Sequence, residues 1–277
     1  MTPALRLDLL SGKVAWITGG GTGLGRAMAL RFASLGAKVA VSGRREEPLR
    51  DVARETGGVF ATCDVRDPAA VEAAIAKIEG EAGLPDILVN NAAGNFLCPS
   101  EQLSPNAFAS VVGIVLHGTF HCTQALARRW IAAKRGGSVL SIATTYAETG
   151  SAFVLPSACA KAGVVAMTRS LAVEWARYGI RLNAIAPGPI PTEGAFSRLL
   201  PSSDLEARRK ARIPAGRFGT PEELAELAAF LVSDASEWMR GEVVVFDGGE
   251  WLRGAGEFND FLDEPAETFE AMRPRKG

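Results

Sequence analysis

This chain of 277 residues has only two tyrosines, Tyr146 and Tyr178, and where they stand decides which acid–base chemistry is open to it. A phenol becomes a useful proton donor near neutral pH when a nearby ammonium lowers its pKa from about 10. One helical turn, as in Tyr-x-x-x-Lys, puts the two groups on a common face. In "PSACAKAG" (156–163) the residue one turn before Lys161 is Ser157, and neither tyrosine is followed four residues on by lysine. A serine hydroxyl is far too weak an acid to stand in for the phenol. Tyr146, in "TTYAETG", directly follows the apolar run "SVLSI" (138–142), in the segment leaving its C-terminal end. Ligands of open α/β sheets bind along that edge, so Tyr146 can share a crevice with Lys161 or merely pack a loop.

A second constellation lies in "ITGGGTGLGRAMALRFASLG" (17–36), where Gly19, Gly23 and Gly25 follow an apolar run and open a helical pattern. Such a turn brings backbone close to a pyrophosphate, and the helix N-terminus, with Thr22 and Leu24 beside Gly23, offers free N–H groups to it. An NAD site usually ends its second strand on a carboxylate that accepts from the ribose 2′-hydroxyl. Here that strand ends "VSGRR", and Arg44 and Arg45 suit a 2′-phosphate instead. The expected cofactor is NADPH.

These residues need a scaffold. Apolar, β-branched runs at 14–18, 38–42, 58–62, 86–90, 138–142, 180–185 and 243–246 read as strands. Helical patterns fall at 23–35, 47–56, 68–82, 104–134, 157–178, 204–212 and 221–233. Alternation of this kind predicts one Rossmann-like, doubly wound α/β domain: a seven-stranded parallel sheet with helices on both faces. No linker divides residues 1–277; the core is expected over 12–250, with a tail at 251–277. The helices at 104–134 and 157–178 are apolar over more than one face, so each requires more than one neighbour.

Hydrophobic residues are 47%, charged residues 22% and the net charge −1, which gives no global field for nucleic acid or an anionic membrane. Four cysteines without a C-x-x-C pair, and His117 and His121 without an evident third ligand, predict no metal site. No segment reads as a targeting or membrane-spanning sequence, so a cytoplasmic protein is expected. Within 194–217 six cations (Arg198, Arg208, Arg209, Lys210, Arg212 and Arg217) face two acids, Asp204 and Glu206. That excess suits phosphate groups of a ligand, or is simply a solvated helix face.

The glycine spacing resembles the short-chain dehydrogenase/reductase family, and further motifs of that family follow in order over about residues 12–260. They are Asp64-Val65 (beside the adenine), "NNAAG" at 90–94 with Asn91, "PGPI" at 187–190 (the nicotinamide loop, with Pro187, Gly188 and Ile190) and "DGG" at 247–249. Within the family, "AAGNF", "LSPNAF", "YAETGS", "PSACAKAG" and "GAFSRL" are similar to the NADPH-dependent 2,4-dienoyl-CoA reductases of the mitochondrial type. That group also lacks Tyr-x-x-x-Lys. The resemblance implies Tyr146 as the active-site tyrosine, Lys161 on the nicotinamide ribose, Asn95 as a second donor to substrate, and Ser157 as an ordering group. It also implies Arg66 and Arg198 on coenzyme A, and Phe96 and Ser104 along the acyl or pantetheine path. The implied reaction sends hydride to C5 of a dienoyl-CoA and yields a trans-3-enoyl-CoA, in a homotetramer. Two other readings stay open from the residues: a ketone or alcohol oxidoreductase with a displaced tyrosine, and an NADPH-binding protein without chemistry.

Overall fold

The computed structural model describes residues 5–192 and 203–272. Among them seven strands form one parallel sheet in the order β3-β2-β1-β4-β5-β6-β7. The strands are β1 (Val14–Thr18), β2 (Lys38–Gly43), β3 (Val59–Thr62), β4 (Ile87–Asn90), β5 (Gly137–Ile142), β6 (Ile180–Pro187) and β7 (Val243–Phe246). Their apolar runs are explained by burial from both sides, as parallel sheets require. Along β1 the side chains alternate: Ala15 and Ile17 enter one core cluster and Trp16 the other. The Trp16 indole N–H donates to the Ser42 hydroxyl of β2 at 2.9 Å, so its one polar atom is satisfied inside the core.

The first face is covered by α1 (Gly23–Ser34) and α9 (Pro221–Val232), with α2 (Glu46–Thr56) contributing Leu49 and Val52. On the second face lie α3 (Pro68–Ala82), α5 (Gly118–Ala132) and α7 (Leu155–Glu174), whose Ile75, Leu126, Trp130 and Ala172 pack there. Local signals set the helix starts. Asp67 accepts from the Ala69 N–H ahead of Pro68, and Thr220 forms a reciprocal capping box with Glu223.

The structure corrects two helix boundaries. The pattern at 104–134 is not one regular α-helix: α4 (Pro105–Val112) runs through a π-helical turn, Gly113–His117, into α5. Gly113 lies beside the Arg66 side chain, and a Cβ at Gly118 would meet Val65 at 2.4 Å, so the extra residue in the turn seats the helix against the loop after β3. The second helix begins at Leu155, two residues before Ser157, and ends at Glu174 before a 3₁₀ turn, Ala176–Tyr178. Three short α-helices also lacked a sequence expectation: α6 (Tyr146–Thr149) and, after α8 (Ser203–Ala211) and α9, the helices α10 (Glu250–Ala255) and α11 (Ala266–Ala271). Among the described residues no helix is long and apolar enough to cross a membrane.

Candidate active site

The sheet order reverses between β1 and β4, and the crevice at their C-terminal ends is where a doubly wound fold binds ligands. A cavity of about 1570 Å³ opens there. One wall is the glycine turn after β1. Gly19 and Gly23 have φ of 63° and 55°, which a side chain would strain. A Cβ at Gly25 would lie 2.3 Å from the Gly19 carbonyl oxygen, so only glycine lets α1 start this close to the turn. Thr22, at the N-cap, makes no side-chain capping bond among the described residues, which leaves the first N–H groups of α1 for a ligand. Asn91 braces this wall from β4: its amide donates to the carbonyls of Thr18 at 3.0 Å and Gly19 at 3.1 Å.

Along the same wall the cavity reaches Leu24, Arg44, Asp64 and Val65. The Asp64 carboxyl is held below the usual range, chiefly by hydrogen bonds from the Arg66 side chain, with Arg44 adding to the effect. Arg66 Nε lies 3.0 Å from Asp64 Oδ1, so this arginine is already paired. The π-helical turn supports this loop from behind, and His121 Nδ1 lies 3.0 Å from the Val65 carbonyl. The residues fit a dinucleotide bearing a 2′-phosphate: a cradle that no side chain can enter, a helix N-terminus, and Arg44 where an NAD site carries an acid.

The opposite wall holds the acid–base groups. Tyr146 opens α6, a single turn closed by Gly150 N–H to the Tyr146 carbonyl at 3.0 Å, with Gly150 at φ 70° turning the chain away. Its phenol lies 3.1 Å from the Ser157 hydroxyl, and either can donate. The Asn95 amide donates to the same phenol at 3.4 Å. Ser157 is buried. Lys161, one turn on, is buried and donates to the Ile142 carbonyl at the end of β5. Desolvation pulls its ammonium down to about 8. Asn95, Tyr146, Ser157 and Lys161 thus converge from three segments, Asn95 some fifty residues before Tyr146.

Other expected residues are placed differently. Phe96 lines the cavity. Ser104 instead caps α4, accepting from Ala107 N–H at 3.2 Å, and is not among the cavity lining. In the loop after β6 the residues reaching the cavity are Pro191 and Thr192; Pro187 and Gly188 pack beside β7, and Ile190 packs on the core. Thr192 lies 3.4 Å from the position of a Gly23 Cβ, closing the far side of the cradle. It continues the "PGPI" motif, the one sequence signal that pointed to it. Ile114, from the π-helical turn, also lines the cavity, and no motif marked it. Arg198 lies outside the described residues. Much of the cationic segment is engaged: Lys210 pairs with Glu206 at 2.7 Å and Arg217 with Glu223 at 2.6 Å.

A family model described as Enoyl-(Acyl carrier protein) reductase matches residues 19–250. An uncharacterized oxidoreductase of Caenorhabditis elegans is 56% identical over 99% of this chain and 92% of its own length. A probable 2,4-dienoyl-CoA reductase of the same organism, named as (3E)-enoyl-CoA-producing, is 49% identical over 94% of this chain and 88% of its own. One from Bacillus subtilis, named as (2E)-enoyl-CoA-producing, is 48% identical over 85% and 95%. Among solved structures, a gluconate 5-dehydrogenase from Burkholderia cenocepacia in complex with NADP and tartrate superposes with a TM-score of 0.83 at 35% identity, covering 89% of this chain and 98% of that one.

Proposed function

This chain belongs to the short-chain dehydrogenase/reductase family and is an oxidoreductase, and from that premise we propose that it reduces 2,4-dienoyl-CoA with NADPH to a trans-3-enoyl-CoA. The observation that carries this reading is the hydrogen-bonded set Asn95, Tyr146 and Ser157, in place of a tyrosine on the lysine's own helix. Relatives named as dienoyl-CoA reductases, matching nearly the whole chain, support the substrate class.

In this reading the turn from Gly19 to Gly25 holds the pyrophosphate, Arg44 the 2′-phosphate, and Asp64 and Val65 the adenine side. Asn91 braces the turn, Lys161 holds the nicotinamide ribose, and the loop 187–192 covers the ring. When bound, NADPH supplies a hydride. Reduction at C5 of the diene pushes negative charge through the conjugated system to the thioester oxygen, several bonds away. The protein must place donors at that remote oxygen, away from the reacting carbon. Tyr146 and Asn95 do this from separate loops, as an oxyanion hole whose loss costs about 10²–10³ in rate per donor. Ser157 orients the phenol from behind. One proton added at C2 completes the balance: two electrons and one hydrogen at C5, one proton at C2, and the remaining double bond at C3. Phe96 borders the acyl path, and Arg66 and Arg198 are the cations assigned to coenzyme A. A homotetramer in the cytoplasm belongs to the same reading.

The test is NADPH consumption followed in parallel with a 2,4-dienoyl-CoA, a 2-enoyl-CoA and a 3-ketoacyl-CoA. Only the first is expected to respond. Turnover of the ketoacyl-CoA instead would make the chain a carbonyl reductase with a displaced tyrosine, and tight NADPH binding without any turnover would make it a binding protein. Product analysis then separates 3-enoyl from 2-enoyl release, and light scattering reads the tetramer.

A further inference from the structure

Among the described residues two non-glycine positions have positive φ. Lys134, at 53°, is an exposed residue just past the end of α5, where a left-handed residue ordinarily ends a helix. Phe153, at 67°, is different: a bulky aromatic in a conformation that costs about 1–2 kcal/mol for a side-chain-bearing residue. Its ring gains no compensating core, because Phe153 is 56% exposed while Val154 beside it is buried. Strain of this kind persists where the surroundings impose it, and it collects at ligand-binding segments. Here the constraint is visible. The Cys98 N–H donates to the Phe153 carbonyl at 2.9 Å, tying the loop 95–99 to the segment between α6 and α7.

That tie gathers large apolar side chains that the protein leaves uncovered. Leu97, which precedes Cys98, is 52% exposed, and Leu155, two residues after Phe153, is 41% exposed. Phe96 and Leu97 line the cavity that also holds Tyr146 and Ser157, and the Cys98–Phe153 hydrogen bond joins their loop to the segment carrying Phe153 and Leu155. The chemistry asks for such a surface. With the thioester oxygen at Asn95 and Tyr146 and coenzyme A leaving one way, the chain beyond C6 must leave by another, over something apolar.

We infer that Leu97, Phe153 and Leu155 form an apolar lip that grips the distal acyl chain, and that the strained Phe153 backbone keeps its ring exposed for that contact. The lip sets the preference for longer chains. This rests on the acyl-CoA reading above, and its test is separable from turnover. Binding of saturated hexanoyl-CoA and dodecanoyl-CoA, which cannot react, is measured by calorimetry on the NADP-loaded protein. Wild type is expected to bind the longer chain more tightly, and Phe153→Gly, Leu97→Ser and Leu155→Ser each to cut that affinity ratio about five- to tenfold. Because glycine adopts positive φ freely, Phe153→Gly is also expected to keep or raise Tm while it loses the long-chain preference. A ratio unchanged in all three variants overturns the lip. So does a change of oligomeric mass with the ratio intact, which would assign the patch to a second copy of the chain. A Tm several degrees lower in Phe153→Gly would make the ring a packing residue and overturn the strain argument. Turnover of 2,4-hexadienoyl-CoA by wild type is read separately: its absence removes the proposed reaction, while the binding ratio still decides the lip.

Discussion

The two walls of the cavity are built from different materials. The cradle wall is backbone: glycines whose missing side chains are sterically required, held by Asn91 donating to two carbonyls of the turn. The acid–base wall is side chains carried on a loop, one short helical turn and the first turns of α7, with Asn95, Phe96 and Leu97 exposed. A wall made of backbone admits one kind of ligand and tolerates little change. A wall made of loop side chains can be rebuilt for another substrate without disturbing cofactor binding. Under the proposed function, a tyrosine on α6 in place of one on α7 is a change of the second kind.

Four substitutions separate the contributions of the two walls. The largest effect is expected from Tyr146→Phe: turnover of a dienoyl-CoA falls about 10²–10³-fold while NADPH affinity holds, by steady-state rates and fluorescence titration. Loss of NADPH binding in that variant would mean the walls are not independent. Gly25→Ala reverses the pattern, because its Cβ would meet the Gly19 carbonyl oxygen at 2.3 Å. Displacing the turn by an ångström is expected to weaken NADPH about 10²-fold, and undiminished affinity would show that the cradle yields. Arg44→Asp is expected to cost NADPH about 10–100-fold, the worth of a charged hydrogen bond, and to narrow or reverse its advantage over NADH. An unchanged ratio of the two affinities would remove Arg44 from the 2′-phosphate.

The smallest effect concerns Lys161, which lines the cavity. Its folded-state pKa, about 8, lies below that of an ordinary lysine, so between the two values the unfolded chain binds the extra proton. Stability from this group is therefore full above the unfolded pKa and is lost as pH falls through about 8. Raising pH from 7 to 9.5 should stabilise wild type by about 2 kcal/mol relative to Lys161→Met, by denaturant unfolding without cofactor. Parallel pH profiles would place the ammonium in a wetter site.

The cradle was legible because its signal is local. A strand, a glycine turn and a helix start lie within about twenty consecutive residues, and steric need dictates each glycine. The seven strands followed from runs of apolar, β-branched residues, because burial on both faces leaves that mark. The break in the helix at 113–117 left none. "VVGIVLHG" reads as ordinary helix, and the π-helical turn exists because α5 must fit against Val65 and Arg66, some fifty residues away in sequence. Ser104 shows the opposite case: its motif suggested substrate contact, and among the described residues its hydroxyl caps a helix.

From its residues alone the chain determined its sheet, its cradle, the absence of an acid at the end of β2, and the loss of Tyr-x-x-x-Lys. Those are properties of neighbours along the chain, fixed by sterics and periodicity. Where the Tyr146 hydroxyl lies relative to Ser157 was not of that kind. Eleven residues separate it from Ser157, and only the one-turn helix α6, ended by Gly150 and packed on α7, brings the two hydroxyls to 3.1 Å. Asn95 reaches the same oxygen from the loop after β4, and Phe153 takes up its strained backbone where the Cys98 N–H binds its carbonyl. Contacts between distant segments depend on how helices pack on the sheet, and the tertiary structure decided them.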